Sequence, residues 1–590
     1  MFLRSKFIIP SSRLPFFTGY SKSTWCPQRM MCSISEATNV IDGSSHDFTQ
    51  AKYDAIIVGG GHNGLVCSNY LGLKNKKTLI LEQRDVIGGA AASEELVPGY
   101  KFSRFSYLLS LLRKVVIDEI FEKDWQDKVK LYPRDPSSFT PTREKNTYLL
   151  MGKDHKFNMK EISKFSKKDA EMFGPYEEKL EEIVSLISPY IDSEPSLNLR
   201  NLAGSFFSAR KSMKSSLPEL YHLLSAPAAT ILDQYFESDI LKGTLASDAV
   251  IGANQGPYSA NSSYVLIHHV MGEVLEKGVW AYVEGGMGSI STYLAHLARK
   301  RGATIALNSI VDKIITDPTS KKVLGVKLSD GQEIICDTVI TNCTHHVVYN
   351  QLLDNREILP EDFARSNNVN YEGVQVKFNM ILNDVPKFKC LDHLWNDNDT
   401  FGEKVEKFRH YLQGTIHINS ESMQQIHDSY SDSFNRKISK RPFVEMVIPS
   451  MLDPTLTPPG AEKLVCNMFV QYAPYTLKNR DWDQEVRNEF ISNTFNLIDE
   501  YAPNFSKSVE FKDVVFPHDL EDMLNMTGGN IFHGALDFNN MFFSRPMPNY
   551  AGYNSPIQGL WSCGSSNHPG GGVMGAPGRN CALKLLKSGF

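Results

Sequence analysis

Tyr53-Asp54-Ala55-Ile56-Ile57-Val58-Gly59-Gly60-Gly61-His62-Asn63-Gly64 sets the architecture of this chain. Four apolar residues ending in glycines read as a short, fully buried parallel strand. Residues 65–73 can form a helix, and Thr78-Leu79-Ile80-Leu81 is a second apolar run of the same kind. Strand, helix and strand within about thirty residues make a βαβ unit. Gly59-x-Gly61-x-x-Gly64 lies at its first turn. There the first glycine permits the tight turn, the second admits a pyrophosphate to the backbone, and the third lets helix pack on strand. The helix N-terminus offers unpaired N–H groups and partial positive charge to the phosphates. Glu82 closes the second strand, where a ribose hydroxyl needs an acidic acceptor. The fingerprint alone does not separate NAD from FAD. Gln83, Arg84 and the pair Gly88-Gly89 with Ala90 come directly after, and give the same cofactor a further backbone surface.

Working outward, the chain has 590 residues, too many for one ordinary domain. Hydrophobic residues at 42% and charged residues at 22% supply large cores and exclude general disorder. A net charge of −5 argues against a broad nucleic-acid surface. Nine cysteines without a Cys-x-x-Cys pair exclude a disulfide scaffold, a zinc ribbon and a thioredoxin-like centre. The cysteine content alone points to a reducing compartment. The charge is uneven: Arg4, Lys6, Arg13, Lys22 and Arg29 precede the first acid, Glu36, in a Ser-rich segment with Phe2, Leu3, Phe7 and Ile8. That composition is a mitochondrial transit peptide's, so residues 1–50 are expected to be leader and linker, and the mature protein to reside in the matrix, with peripheral contact at the inner membrane. No apolar run reaches the length of a membrane span. Residues 105–120 come nearest, but Arg113, Lys114, Asp118 and Glu119 interrupt them, and a half-buried helix is expected.

Further along, residues 166–190 carry apolar residues at helical spacing behind a capping-box pair, Ser166 and Asp169. Residues 215–280 are mostly helical. Val374, Val376, Phe378, Met380 and Leu382 alternate with more polar neighbours, as do Leu464, Cys466, Met468 and Val470. Period two predicts half-buried antiparallel strands, whose apolar side chains could wall a dry site. Parallel βαβ at the start and alternating strands later imply two intertwined domains.

Two more motifs complete a resemblance. The string Gly559-Leu560-Trp561-Ser562-Cys563-Gly564-Ser565-Ser566-Asn567-His568-Pro569-Gly570-Gly571-Gly572-Val573-Met574-Gly575 resembles the closing flavin motif of phytoene desaturases. Tyr282-Val283-Glu284-Gly285-Gly286-Met287-Gly288, followed by Gly302-Ala303 and Val311, resembles the same family's segment leading to the adenine-side contact. Together with Gly59 to Gly64, Glu82 and Gly88-Gly89, the sequence from about residue 50 to the end is similar to the phytoene-desaturase branch of the FAD-dependent amine oxidase superfamily.

The resemblance implies an α/β plus α+β protein. A Rossmann-like FAD-binding domain would be discontinuous, built from residues 51–125, 280–371 and 546–590. The inserted substrate domain would be helical over 126–279 and a mixed, mainly antiparallel sheet over 372–545. The implied FAD contacts are Gly59, Gly61, Gly64, Glu82, Gln83, Arg84, Gly88, Gly89, Ala90, Val311, Gly564, Gly571, Gly572, Val573, Met574 and Gly575. The implied activity is oxidation of an apolar small molecule by hydride transfer to flavin, with amine oxidation at a C–N bond and a regulatory flavoprotein as alternatives. Rab escort and GDP-dissociation inhibitor proteins share the architecture without FAD, but the intact glycines and Glu82 argue for retention of the cofactor here.

The sequence names no catalytic acid or base. His568 lies inside the closing motif, either beside the flavin ring or bonded to its own loop. His268-His269, with Trp280 and Tyr282, precede the Gly285-Gly286 turn; adjacent helical histidines point about 100° apart, so packing roles are expected. His345-His346 and His533 are read the same way, and Cys563 as a buried free thiol. No His/Cys/Asp group has metal-ligand spacing and no Gly-x-Ser-x-Gly elbow occurs.

Overall fold

The computed structural model describes residues 40–48, 51–195, 217–272, 274, 279–366 and 368–590. The basic segment read as a leader, residues 1–35, lies outside them. Ala55–Val58 and Thr78–Leu81 are adjacent parallel strands around the helix His62–Gly72. They sit inside a six-stranded parallel sheet whose spatial order is Val40–Asp42, Thr304–Leu307, Thr78–Leu81, Ala55–Val58, Val339–Thr341 and Leu560–Ser562. Strands from the beginning, middle and end of the chain thus share one ladder. Alternation splits the two faces. Ala55, Ile57 and Ile80 pack against the helices His62–Gly72, Gly288–Lys300 and Ala576–Lys587. Ile56, Val58, Leu79 and Leu81 pack against an antiparallel sheet of Val311–Asp317, Lys322–Leu328 and Glu333–Ile335. Burial on both sides is why these strands read as continuous apolar runs.

A second, seven-stranded sheet has the order Val509–Val515, Gln375–Leu382, Leu464–Gln471, Phe443–Val447, Thr415–Ile418, Ser138–Pro141 and Tyr148–Met151. All its pairings are antiparallel except Thr415–Ile418 with Ser138–Pro141. Helices cluster beside it, among them Lys167–Ile191, Ala228–Tyr235, Asp239–Ser247 and Ser262–His269. The fold is α/β plus α+β, as the sequence implies.

Four local expectations need correction. Residues 105–112 form no helix; only Lys114–Ile120 does. The segment is buried as irregular chain, and Leu109 makes a backbone bridge to Ala281. Gln375–Leu382 and Leu464–Gln471 are buried at every position rather than on one face, because both sides of the sheet are covered. Ser166 caps its helix by accepting the Asp169 N–H, but the Asp169 carboxylate does not return to the cap. It accepts the backbone N–H groups of Glu237 and Ser238, both at 2.8 Å, and ties two helices together. Finally, Val40–Asp42 is no linker: it pairs in parallel with Thr304–Leu307, and Phe48 is fully buried in the core beyond it. Val40 and Ile41 are too short an apolar run to signal a strand; the open sheet edge supplies their partner.

Candidate cofactor cleft

The first β-turn-helix places Gly59 at φ +100°, a conformation that favours glycine. A Cβ on Gly64 would lie 2.5 Å from the Gly59 carbonyl oxygen, so the third glycine serves the close packing of helix on turn. Gly88 donates its N–H to the Gly60 carbonyl at 3.0 Å, and a Cβ on Gly89 would meet Gly61 Cα at 3.2 Å. The second glycine pair is therefore folded onto the first turn. Glu82 ends its strand with a buried carboxylate that accepts the Gly60 N–H at 2.8 Å and the Arg84 N–H at 3.0 Å. Burial pushes this carboxyl above its usual range, and those two N–H groups pull against the shift.

These elements open on a cleft beyond the carboxyl ends of the parallel strands. It lies where the strand order reverses, between Ala55–Val58 and Val339–Thr341, the usual ligand position in open α/β sheets. Gly59, Gly61, Glu82, Gln83, Arg84, Gly89, Ala90 and Val311 all line it. Gly64 and Gly88 stand behind the lining as packing glycines. Of the closing motif, Ser565 reaches the cleft, whereas Gly564, Gly571, Gly572, Val573, Met574 and Gly575 do not line it. Protein surrounds several of them: a Cβ on Gly571 would meet Phe532 Cα at 2.4 Å, and one on Gly564 the Asn342 carbonyl carbon at 3.1 Å.

The lining includes residues that the fingerprint does not name. Asn342 donates from Nδ2 to the Gly59 carbonyl at 3.2 Å, and Asn63 donates to Ser565 Oγ at 3.0 Å. Cys343, Thr344, Ser309, Ile310 and residues 524–526 complete the walls. One sequence signal points to Asn342, Cys343 and Thr344: Val339-Ile340-Thr341 is a third short apolar run, and the residues after it must sit at a strand end. The loop 524–526 carries no such signal.

The histidines are divided by this geometry. His62 and His533 line the cleft, and burial holds them down at about 4 and about 3, so both are neutral at physiological pH. His268 Nε2 lies 3.1 Å from the Gly571 carbonyl, His568 Nε2 lies 2.7 Å from that of Tyr190, and His345 Nε2 lies 3.1 Å from Asn567 Oδ1. His568 is thus turned to its surroundings by a backbone bond. Cys563 is buried and free, beside Cys67 and Cys581 in the helix core. Among the described residues Cys343 is the only cysteine in the cleft lining, and burial pushes its thiol up to about 12.

A phosphate-bearing dinucleotide fits these residues. Among the buried polar atoms without a partner are His62 Nε2, Asn63 Oδ1, Arg84 Nη1 and His533 Nδ1, and all four side chains line this cleft. Buried polar groups in native proteins are paired, so four unpaired ones in one cleft call for a polar ligand. Ile310, Val311, Val347 and Leu352 provide an apolar wall beside them.

Comparison with known proteins agrees. Residues 57–119 match the NAD(P)-binding Rossmann-like domain family. Over 558 residues the chain is 40% identical to a Mus musculus protein named pyridine nucleotide-disulfide oxidoreductase domain-containing protein 2, a match spanning 91% of this chain and 94% of the mouse one. The chain belongs to that protein's family. It is also 22% identical over 557 residues to a phytoene desaturase of Neurospora crassa, covering 89% and 83% of the two chains. A solved oxidoreductase from Methanosarcina mazei shares the fold with a TM-score of 0.54 at 14% identity, over 90% of this chain and 99% of its own. The protein is of an oxidoreductase family, and its Rossmann-like domain is of the dinucleotide-binding type. Among the described residues there is no group of metal-ligating side chains and no helix long and apolar enough to cross a membrane.

Proposed function

We propose that this protein uses FAD to oxidise an apolar small molecule in the mitochondrial matrix, by a desaturase-like removal of hydride and proton from adjacent carbons. The observation that carries the reading is the strand-end cleft with its four unpaired polar side chains, next to a separate sheet domain able to hold a substrate. When bound, FAD supplies a two-electron acceptor at flavin N5. Gly59, Gly61 and the N-terminus of His62–Gly72 would hold the pyrophosphate, and Glu82 a ribose hydroxyl. Ile310, Val311, Val347 and Leu352 would exclude water from one side of the bound cofactor. His62 and His533, both neutral, can each offer one unpaired ring nitrogen to the bound cofactor without adding charge. The substrate would lose a hydride to the bound flavin and a proton to water as two C–H bonds break, and gain a C=C bond.

The test is anaerobic reduction of the flavin-loaded protein by candidate substrates: polyenes, retinoids, fatty acyl compounds and amines. Loss of the flavin's visible absorbance is expected with an apolar carbon skeleton. Bleaching by amines alone would move the activity to a C–N bond, and no bleaching by any class would leave a regulatory flavoprotein.

The matrix address rests on the composition of residues 1–35, and the fold limits where a leader can end. Because Val40–Asp42 is a strand of the core sheet, the mature N-terminus is expected upstream of Val40. Mass spectrometry of the protein from mitochondria reads it directly. A start between residues 43 and 55, or a cytosolic reporter fused to residues 1–50, contradicts the proposal.

A further inference from the structure

The seven-stranded sheet buries two chemically opposite faces. One carries Val376, Phe378, Met380, Val444, Met446, Cys466 and Met468 into an apolar core. On the other, the cross-strand register sets His417 opposite Glu445, Glu445 opposite Phe469, and Phe469 opposite Lys377. This second face holds the more polar residues of the alternating strands, which a half-buried sheet would turn to solvent; here they are buried. Burying such a row is costly unless every group is paired.

One end of the row is paired. Lys377 donates to Asn379 Oδ1 at 2.7 Å, and Asn379 donates to Asp513 at 3.0 Å. Asp513 meets Arg104 at 3.2 Å, and Glu94 then links Arg104 to Arg84 in the cofactor cleft at 2.7 and 2.6 Å. The other end is not paired. Arg134 is 6% exposed, donates one N–H to Thr415 Oγ1 at 2.5 Å, and lies 5.7 Å from the ring centroids of both Trp280 and Tyr282. Its Nε has no partner, and no carboxylate of the described residues lies within ion-pair distance of it. His417 Nδ1 also lacks a hydrogen bond, 3.6 Å from the Glu445 carboxyl. The Tyr107 hydroxyl reaches Glu445 only at 3.4 Å. Two other buried arginines differ: Arg113 grips both carboxylate oxygens of Asp192 at 2.8 and 2.9 Å, and Arg545 is filled by backbone carbonyls.

Tyr107, which reaches Glu445, and Asp248, which lies near both Glu445 and Arg134, are each half-buried at this unpaired end. This end of the row adjoins the cofactor residues. The N–H of Ser106, next to Tyr107, donates to the cleft-lining Ala90 at 3.0 Å, and His269, whose Nδ1 is 2.9 Å from the Asp248 carbonyl, is the neighbour of the His268 that meets Gly571.

We propose that this unpaired end of the sheet face is the head-group pocket of the substrate site and that it takes a carboxylate, paired with Arg134 and hydrogen-bonded by Tyr107 and Glu445. The proposal rests on the FAD-dependent oxidoreductase reading and narrows its substrate to an apolar molecule ending in a carboxylate. Burial, with Asp248 nearby, pushes Glu445 up to about 8, which leaves it protonated and able to donate at neutral pH. A plain hydrocarbon would leave Arg134 Nε unpaired, and an amine would bring a second cation to a buried guanidinium.

The experiment is calorimetric titration of the flavin-loaded protein with three probes of one chain length: decanoate, decanol and decylamine. Decanoate is expected to bind at least about tenfold more tightly than decanol, with decylamine weakest, as a buried charge-assisted pair requires. Arg134→Gln is expected to abolish the preference and Arg134→Lys, which keeps charge but not the planar fork, to retain part of it, both with the flavin spectrum intact. Equal binding of decanoate and decanol, a preference for decylamine, or a preference unchanged in Arg134→Gln would overturn the carboxylate pocket. Because the probe comparison is made on the unaltered protein, it stands even if a variant fails to fold. A protein that holds no flavin overturns the parent reading instead, so the two failures are distinguishable.

Discussion

Gly64→Ala is expected to yield a folded protein that purifies with less than about a tenth of the flavin of the unaltered chain. The added Cβ would fall 2.5 Å from the Gly59 carbonyl oxygen, 3.1 Å from Asn342 Nδ2 and 3.2 Å from Ile57 Cγ2. The nearest of these is backbone in the turn itself, so it cannot rotate away. Relief requires the helix His62–Gly72 to lift from the strand, at an overpacking cost of about 1–3 kcal/mol. That movement also withdraws the helix N-terminus from the cleft and breaks the Asn342 bond to the Gly59 carbonyl. Both losses fall on the cofactor-binding state, so affinity drops by more than stability does. Gly402→Ala is the control: no atom lies within 4 Å of its Cβ, it sits in the helix Phe401–Leu412, and flavin content is expected to be unchanged. Flavin absorbance per mole of protein reads both variants. Full flavin occupancy in Gly64→Ala would mean that the close approach of helix and turn is not what shapes the site.

Arg545→Met is expected to be the most damaging single substitution to stability. The Arg545 side chain is fully buried and donates to the carbonyls of Phe532, Gly534, Ala535, Asn540, Ser565 and Asn567. It is one clamp across two irregular segments, 532–540 and 565–567, the second of which belongs to the closing motif. Methionine matches much of the volume but donates nothing. Each carbonyl left unpaired in the interior costs about 1–3 kcal/mol, so even with relaxation the loss exceeds about 4 kcal/mol. Against a typical total of about 5–15 kcal/mol, that leaves little or no folded protein at 37 °C. Thermal denaturation of the soluble fraction is the measurement. A melting temperature lowered by only a few degrees would show that water or backbone rearrangement replaces the clamp.

The nucleotide half of this protein is legible in its sequence because its signals are local. A buried parallel strand must be apolar throughout, a phosphate turn must be glycine, and the acid that meets ribose must end the next strand; Val58, Gly61 and Glu82 each satisfy one such demand within thirty residues. Signals that depend on distant partners are not legible. Val40–Asp42 is a strand only because Thr304–Leu307 offers an open edge. Residues 105–112 have the composition of a half-buried helix, but they are spent bridging the start of the chain to Ala281. The period of two in Gln375–Leu382 marks a strand, but it does not mark one buried face, since sequence does not show that a second layer covers Lys377 and Asn379. The closing motif shows the same limit. Its glycines are where the family resemblance puts them, yet a Cβ on Gly571 would meet the backbone of Phe532, a neighbour no spacing rule supplies. Asn342 and Thr344 enter the cleft because they come after a strand, not because their own residue types announce it.

The central claim is that this cleft holds FAD, and the most direct measurement is the visible spectrum of the purified full-length protein, before and after incubation with added FAD and removal of the excess. Two flavin absorption bands are expected, with about one FAD released per chain on denaturation. A colourless protein that takes up no flavin on reconstitution would contradict the claim.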